Sequence, residues 1–255
     1  MTTHRAARPR IDREDELALI DRLVRGETRA RVLLIQAASG MGKSELLREF
    51  RARCPGHLPV IVVDFKGGGL NLADVLFHIC DTLGWRHFLT LAQTVREILR
   101  STSINVSGNL IVGQNEISIA SGGPDEQTRD LRRSRLTAAL VDDLRALGRA
   151  VLIFDVYERC DAALQDWFSG VFLPAAHRSP QLAVIVAGQQ TPEPTQMWDA
   201  EFLPLEGIAP EHWQEYAHAV GTLLHPEFIR GCCAAFKGNC LSIAQTIEAQ
   251  GGGRV

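Results

Sequence analysis

The chain of 255 residues is long enough for one large domain, or for one domain with a small appendage. Apolar residues make up 45% of the sequence and charged residues 22%, a balance that excludes a disordered chain and a mostly membrane-embedded one. The net charge of −3 provides no general attraction for nucleic acid or anionic membranes, so either partner would require a local basic patch.

Cysteine usage and the N-terminal residues bear on the cellular compartment. The six cysteines lie in otherwise apolar segments, and no two have the spacing of a zinc knuckle or a redox motif, which favours reduced and buried thiols. The first ten residues are basic and lack the apolar core of a signal peptide. No apolar run approaches the roughly 20 residues that span a bilayer. We therefore expect a cytoplasmic protein that does not enter a membrane.

Helices and strands alternate along the first hundred residues. Apolar side chains spaced three and four residues apart predict helices, and continuous apolar runs predict strands that are buried on both faces. The predicted elements are a helix that begins near Asp12 and closes at Gly26, a strand at 31–36, a helix to about 53, a strand at 60–65, and helices near 71–83 and 88–100.

Residues 104–119 differ from their surroundings. Apolar and polar residues alternate there, and Gly108-Asn109 and Gly113-Gln114-Asn115 are typical turn residues. The pattern predicts a small insert of one or two β-hairpins. Because an exposed strand invites pairing, the insert is either an edge for a partner or a folded decoration of the sheet.

The alternation continues through the second half of the chain. The predicted elements are a charged helix near 126–147, a strand at 150–155, a helix near 161–170, strands at 182–188 and 202–205, and helices near 210–222, 226–236 and 240–249. This order predicts an α/β protein with a central parallel sheet flanked by helices. Residues 1–206 would form the core with its hairpin insert, and residues 207–255 a small helical lid.

Residues 37–44, Ala-Ala-Ser-Gly-Met-Gly-Lys-Ser, stand between the first predicted strand and the helix that follows it. This is the setting of a phosphate-binding loop, in which backbone N–H groups and the positive end of a helix converge on an anion. Gly40 and Gly42 occupy places where the backbone bends around phosphate, and Ala37 stands where the first glycine is usual. The predicted nucleotide-binding residues of this segment are Ala38, Ser39, Gly40, Met41, Gly42, Lys43, Ser44 and Glu45.

A nucleotide bound to this phosphate loop (residues 37–44) would meet three further groups. Lys43 supplies a positive charge for the β- and γ-phosphates, and the Ser44 hydroxyl can reach Mg²⁺. Asp155 follows a buried strand, where its carboxylate either holds the same Mg²⁺ or caps a helix. Ligands of parallel sheets bind beyond the carboxyl ends of the strands, where the loop, Asp155 and Gly188-Gln189 are all expected.

The general base has no standard position in this sequence. Val156 stands where many ATPases place a glutamate directly after the aspartate. Glu158 is the nearest carboxylate, and it either orients the attacking water or pairs with Arg159 at the surface. Gln189 follows the fourth predicted strand and is a candidate for contact with the γ-phosphate or that water, and Gln190 is an equal candidate by composition.

Other chemistries find little support in the sequence. The histidines form no HExxH pair, and no Gly-x-Ser-x-Gly elbow is present. The arginines of the charged helix favour a solvated face over an arginine finger for a neighbouring subunit, and these arginines are Arg129, Arg132, Arg133 and Arg135.

These residues resemble the ATPase module of the signal-transduction ATPases with numerous domains (STAND), close to the bacterial NACHT-like and AAA-related branches. Residues 11–17 look like the family's arginine-glutamate entry helix, which lies against the adenine and in which Arg13 is the matching arginine. Residues 154–158 are similar to the acidic motif of one subgroup, and residues 203–208 to the step from the last strand into the lid. Residues 238–241 resemble the glycine-x-proline turn of the lid, with Cys240 in place of the proline that touches the base.

The resemblance implies binding of ATP or ADP with Mg²⁺, a conformational switch that oligomerises with ATP, and slow hydrolysis that resets it. It also implies a homo-oligomer, or effector and sensor proteins encoded as separate chains. The reason is that the sequence has no counterpart of the family's winged-helix, effector or sensor regions. The alternative is that the sequence is a fragment of a longer switch protein. An AAA-like ATPase that handles DNA, a nucleotide-gated interaction module with little turnover, and a small-molecule kinase are the alternatives. The net negative charge argues against DNA binding, and the sequence shows no recognisable substrate lid of a kinase.

Overall fold

The computed structural model describes residues 13–101 and 112–251. The elements are α1 (Glu14–Arg25), β1 (Val32–Gln36), α2 (Lys43–Arg53), β2 (Val60–Asp64), α3 (Leu72–Leu83), α4 (Leu89–Ser101), α5 (Gln114–Ser121), α6 (Glu126–Ala146), β3 (Ala150–Asp155), α7 (Ala162–Trp167), α8 (Leu173–His177), β4 (Leu182–Gly188), β5 (Glu201–Pro204), α9 (Pro210–Ala219), α10 (Pro226–Ala235) and α11 (Cys240–Gly251). None of these helices combines the length and the apolar character that crossing a bilayer requires.

The strands of the described residues form one parallel sheet in the order β2-β3-β4-β1-β5. Every residue of β3 and β4 is buried, which explains why both strands are continuous apolar runs in the sequence. Because the strands are parallel, their carboxyl ends share one edge of the sheet, and the phosphate loop follows β1 at that edge.

Helices cover both faces of the sheet. On one face, Leu17 of α1 and Phe50 of α2 pack against Ile153 and Ile185 of the central strands. On the other face, helices α3 to α8 form a larger core that contains Leu140 and Phe172. Burial of each such side chain contributes roughly 1.5–3 kcal/mol. This layered packing fixes the strands, and with them the positions of the loops at the carboxyl edge.

Helices α9, α10 and α11 have a hydrophobic core of their own. Its centre is formed by Trp213 and Tyr216, whose rings meet edge to face, together with Ile229, Ile243 and Ile247. We call α9–α11 the C-terminal helical unit.

The fold confirms the predicted α/β architecture, and most elements lie within about three residues of the prediction. The predicted helix closure at Gly26 is also confirmed, because this residue caps α1 in the left-handed conformation with a φ of 77°. The helix predicted at 161–170 is instead α7, which continues through a π-helical turn at 168–172 into α8.

The prediction of β-hairpins at 104–119 is wrong where it can be compared, because residues 114–119 belong to helix α5. Gly113, read as a turn residue, is the N-cap of this helix, and Glu116 accepts a hydrogen bond from its N–H. Ile117 and Ala120 are buried at helical spacing, whereas Ile119 is exposed. Residues 104–111 of the predicted hairpins lie outside the described residues.

Candidate functional site

The phosphate loop adopts the bend that its glycines predict. Gly40 and Gly42 have φ values of 81° and 93°, in the left-handed region that side chains with a Cβ avoid. Gly42 directly precedes α2, so the free N–H groups of the first turn of this helix lie at the loop. Glu45, predicted to take part in binding, turns its carboxylate to Arg48 at the surface, which leaves its main-chain N–H as its contribution to the loop.

Lys43 lies across the inside of the loop. Its Nζ donates hydrogen bonds to the carbonyl oxygens of Ala37, at 2.6 Å, and Ala38, at 3.1 Å. Burial lowers the pKa of Lys43, while the negative charges of Glu158 and Asp155 act to raise it. The ammonium group is therefore bonded to the loop, and it interacts through its charge with the two carboxylates that the sequence singled out.

Ser44 and Asp155 come together as predicted for a metal pair. The Ser44 hydroxyl donates to Oδ2 of Asp155 at 2.6 Å, and the N–H of Val156 donates to Oδ1 at 2.9 Å. Burial raises the pKa of Asp155, whereas the hydrogen bonds from Ser44 and Val156 act to lower it. Hydroxyl and carboxylate oxygens are the hard ligands that Mg²⁺ prefers, so this pair suits the ion implied by the phosphate loop.

Asp64 is a further candidate metal-ligating residue, which is not among those predicted from the sequence. In the register of the sheet it pairs with Asp155, and paired residues of neighbouring strands present their side chains to the same face. Its negative charge contributes to the raised pKa of Asp155. The sequence holds a signal for it, because Asp64 ends an apolar strand just as Asp155 does.

A strained turn places Glu158 at the end of β4. Val156 has a φ of 62°, an unusual conformation for a β-branched residue. The turn that follows brings the Glu158 carboxylate to Gln189, which donates to it from its main-chain N–H at 2.9 Å and from Nε2 at 3.1 Å. Burial acts to raise the pKa of Glu158, but the hydrogen bonds from Gln189 lower it overall. No ion pair joins Glu158 to Arg159 among the described residues.

Gly188 is required for this arrangement. A Cβ at this position would lie 2.7 Å from Oε2 of Glu158 and 2.4 Å from the carbonyl oxygen of Gln190. A side chain at residue 188 would therefore collide with the main chain of Gln190 and would also meet the Glu158 carboxylate, and glycine avoids both contacts.

Arg13 connects the start of α1 with three distant segments. Its Nη2 donates to the carbonyl oxygens of Glu206, at 2.8 Å, and Met41, at 3.3 Å, and lies 3.8 Å from Sγ of Cys240. Its Nη1 donates to Glu16. The predicted nucleotide-binding arginine thus lies beside both the phosphate loop and the turn at 238–241, which by the family resemblance would face the base.

Two of the four α6 arginines considered for an arginine finger have partners within the chain. Arg132 donates to the carbonyl oxygen of Gly122 at 2.7 Å, and Arg135 pairs with Glu97 at 3.1 Å. The Nε of Arg133 is buried and has no hydrogen-bond partner within residues 13–101 and 112–251. These contacts fit a structural helix face for Arg132 and Arg135.

Solved structures of other proteins share this fold, among them the following three. A Walker-type ATPase of Pyrococcus abyssi matches 94% of this chain over 67% of its own length, with a TM-score of 0.60 and 15% identity. A STAND protein of Pyrococcus horikoshii with a tetratricopeptide repeat sensor matches 93% of the chain over 30% of its length, with a TM-score of 0.56 and 15% identity. Cdc6p of Pyrobaculum aerophilum matches 95% of the chain over 62% of its own length, with a TM-score of 0.51 and 13% identity.

At these identities the likeness shows the fold alone, a parallel sheet flanked by helices that this chain shares with a Walker-type ATPase, a STAND protein and Cdc6p. The predicted fold class and the predicted resemblance are confirmed at this level. No protein-family model and no curated protein matches the sequence.

Proposed function

We propose that this chain binds ATP and ADP with Mg²⁺ and acts as a nucleotide-dependent conformational switch with slow hydrolysis. The observation that carries the proposal is the pairing of Ser44 with Asp155 at 2.6 Å beside Lys43, at the end of a glycine-bent loop. These residues come from two separate parts of the chain, and the fold brings them to the sheet edge where parallel α/β proteins bind ligands.

Each residue of the site has a role in this proposal. The loop N–H groups and Lys43 bind the phosphates, while Ser44 and Asp155 hold Mg²⁺, which neutralises phosphate charge when bound. Arg13, beside Cys240, lies on the adenine side. Glu158 and Gln189 orient the attacking water, as a hydrogen-bonded pair next to the end of β4.

Residues 13–206 would form the nucleotide-binding core, and residues 207–251, which contain the C-terminal helical unit, the lid over the nucleotide. A homo-oligomer that assembles with ATP, or a separate effector or sensor protein, would transmit the change of state.

A second candidate function is a nucleotide-gated interaction module with very little turnover. The arrangement of Glu158 favours it, because both carboxylate oxygens already accept hydrogen bonds from Gln189, and Val156 occupies the position after the strand aspartate. A carboxylate engaged in this way is a weaker acceptor for the proton of an attacking water.

Binding and hydrolysis of ATP by three variants test the proposal. Lys43→Ala should weaken Mg-ATP binding by about tenfold or more, because it removes a charge-assisted contact to phosphate. Arg51→Ala, which removes an exposed cation from the same helix, is the matched control. Glu158→Gln should lower turnover by about a hundredfold and retain binding.

The outcomes separate the two functions. Unchanged Mg-ATP affinity in Lys43→Ala would refute the binding site, and normal hydrolysis by Glu158→Gln would place the base elsewhere. Tight binding without turnover in the wild type would favour the interaction module. Size-exclusion chromatography with ATP and with ADP would show whether the nucleotide controls assembly.

A further inference from the structure

The turn between α10 and α11 fixes the position of one side chain, that of Asn239. Lys237 and Gly238 both have left-handed backbone conformations, with φ values of 50° and 74°, which end α10 and reverse the chain. Asn239 follows and caps α11, since its Oδ1 accepts a hydrogen bond from the N–H of Ser242 at 3.0 Å. We call residues 237–241 the lid turn.

The lid turn is hydrogen-bonded directly to the phosphate loop. The other atom of the same amide, Nδ2 of Asn239, donates to the carbonyl oxygen of Ser39 at 2.8 Å. The main-chain N–H of Leu241 donates to the carbonyl oxygen of Gly40 at 2.9 Å. A Cβ at Gly40 would lie 2.6 Å from the Asn239 amide, so the two segments meet without intervening space.

Three successive carbonyl groups of the loop therefore have partners outside the loop. Asn239 binds that of Ser39, Leu241 binds that of Gly40, and Arg13 binds that of Met41. In a trans peptide the C=O and the following N–H point in opposite directions. Because these carbonyl groups point toward the lid turn and α1, the N–H groups of the next residues point to the opposite side, where an anion binds.

We infer that Asn239 is a positioning residue that couples the C-terminal helical unit to the phosphate affinity of the loop. It acts through the loop backbone and makes no contact with the nucleotide. The inference rests on the proposed function, in that the loop must bind nucleotide phosphates. Because coupling between two sites is reciprocal, bound nucleotide should in turn tighten the contact between the lid turn and the loop.

The variant Asn239→Ser separates coupling from helix capping. Serine caps helices about as well as asparagine, so α11 keeps its first turn. The serine side chain is shorter and has no amide N–H to donate to the carbonyl oxygen of Ser39. Asn71→Ser is the matched control, because Asn71 caps α3 through the N–H groups of Ala73 and Asp74 and has no role in the loop.

Hydrogen exchange of the nucleotide-free protein provides a first measurement. The amide of Leu241 should exchange several-fold faster in Asn239→Ser, because its hydrogen bond to Gly40 opens more often. The amide of Ile247 in the same helix should be unchanged. In the wild type, added Mg-ADP should slow the exchange of Leu241.

Affinity for Mg-ADP and for inorganic pyrophosphate provides a second measurement. Both affinities should fall about three- to tenfold in Asn239→Ser, the loss expected for one hydrogen bond that orients the loop. Asn71→Ser should retain both. Unchanged Leu241 exchange, or faster exchange with unchanged affinity, would overturn the coupling, as would an equal loss of affinity in Asn71→Ser. A wild type that binds neither ligand would instead refute the proposed function, while the exchange result would still show whether Asn239 holds the lid turn to the loop.

Discussion

At the scale of single residues, Asp155 is a buried carboxylate whose surroundings oppose its ionisation. Burial raises the pKa of this group, and the nearby charge of Asp64 acts in the same direction. A cation beside the pair would relieve both effects. The ionised Asp155 therefore suits metal binding but lowers the stability of the nucleotide-free protein.

We expect Asp155→Asn to raise the unfolding free energy of the nucleotide-free protein at pH 7. A carboxyl group with a raised folded-state pKa stabilises the protein below its unfolded pKa and loses that contribution as the pH rises through the folded pKa. The difference between the variant and the wild type should therefore grow from about pH 4 towards pH 7. Urea unfolding across this pH range measures it.

Asp125→Asn is a control for which we expect the opposite change of stability with pH. Hydrogen bonds from the N–H and the hydroxyl of Thr128 lower the pKa of Asp125, so its ionised form stabilises α6 above the unfolded pKa. This variant should lose stability relative to the wild type as the pH rises. A pH-independent effect of Asp155→Asn would mean that the charge of this residue does not destabilise the native state.

At the scale of elements, Asp143 joins two helices of the larger core. This carboxylate, buried on α6, accepts hydrogen bonds from the N–H groups of Thr90, at 3.2 Å, and Leu91, at 2.8 Å, at the start of α4. It thereby serves as a cap for a helix that lies about fifty residues away in the sequence.

Asp143→Ala should lower the unfolding free energy by about 2–3 kcal/mol, because the buried N–H of Leu91 and the partly buried N–H of Thr90 lose a charged acceptor. Asp142→Ala removes the neighbouring carboxylate, which forms an exposed ion pair with Arg145, and should cost less than about 1 kcal/mol. Urea unfolding compares the two variants. Equal losses would show that the cap contributes no more than a surface charge.

The sequence predicts the buried strands well and the insert poorly, for a physical reason. β3 and β4 are buried on both faces, so their apolar runs have one interpretation. In the short helix α5 the same glycine and polar residues that favour a turn also cap a helix, and periodicity over eight residues cannot separate the two. Packing against α3 and α4 decides the outcome, and a single sequence does not contain that information.

At the scale of the whole molecule, the location of the site could be predicted from the sequence, but the contacts that organise it could not. Parallel strands must end at one edge, so Lys43, Ser44 and Asp155 were expected to meet. The bonds from Arg13 to Glu206 and from Asn239 to Ser39 join residues about two hundred positions apart, and no local pattern specifies such pairs. The bond from Asn239 links the phosphate loop to the C-terminal helical unit, and the bond from Arg13 reaches the segment just before that unit.

The contact between Gly207 and Gly238 allows the last prediction. A Cβ at Gly207 would lie 2.8 Å from Cα of Gly238, in the lid turn, so we expect Gly207→Ala to displace that turn from its position beside the phosphate loop. Displacement of the turn weakens the bonds of Asn239 and Leu241 to the loop, and Mg-ADP affinity should fall about tenfold. Gly56→Ala, where a Cβ meets no atom within 4 Å, should bind normally in the same titration. If Gly207→Ala binds as tightly as Gly56→Ala, the position of the lid turn does not control the phosphate loop.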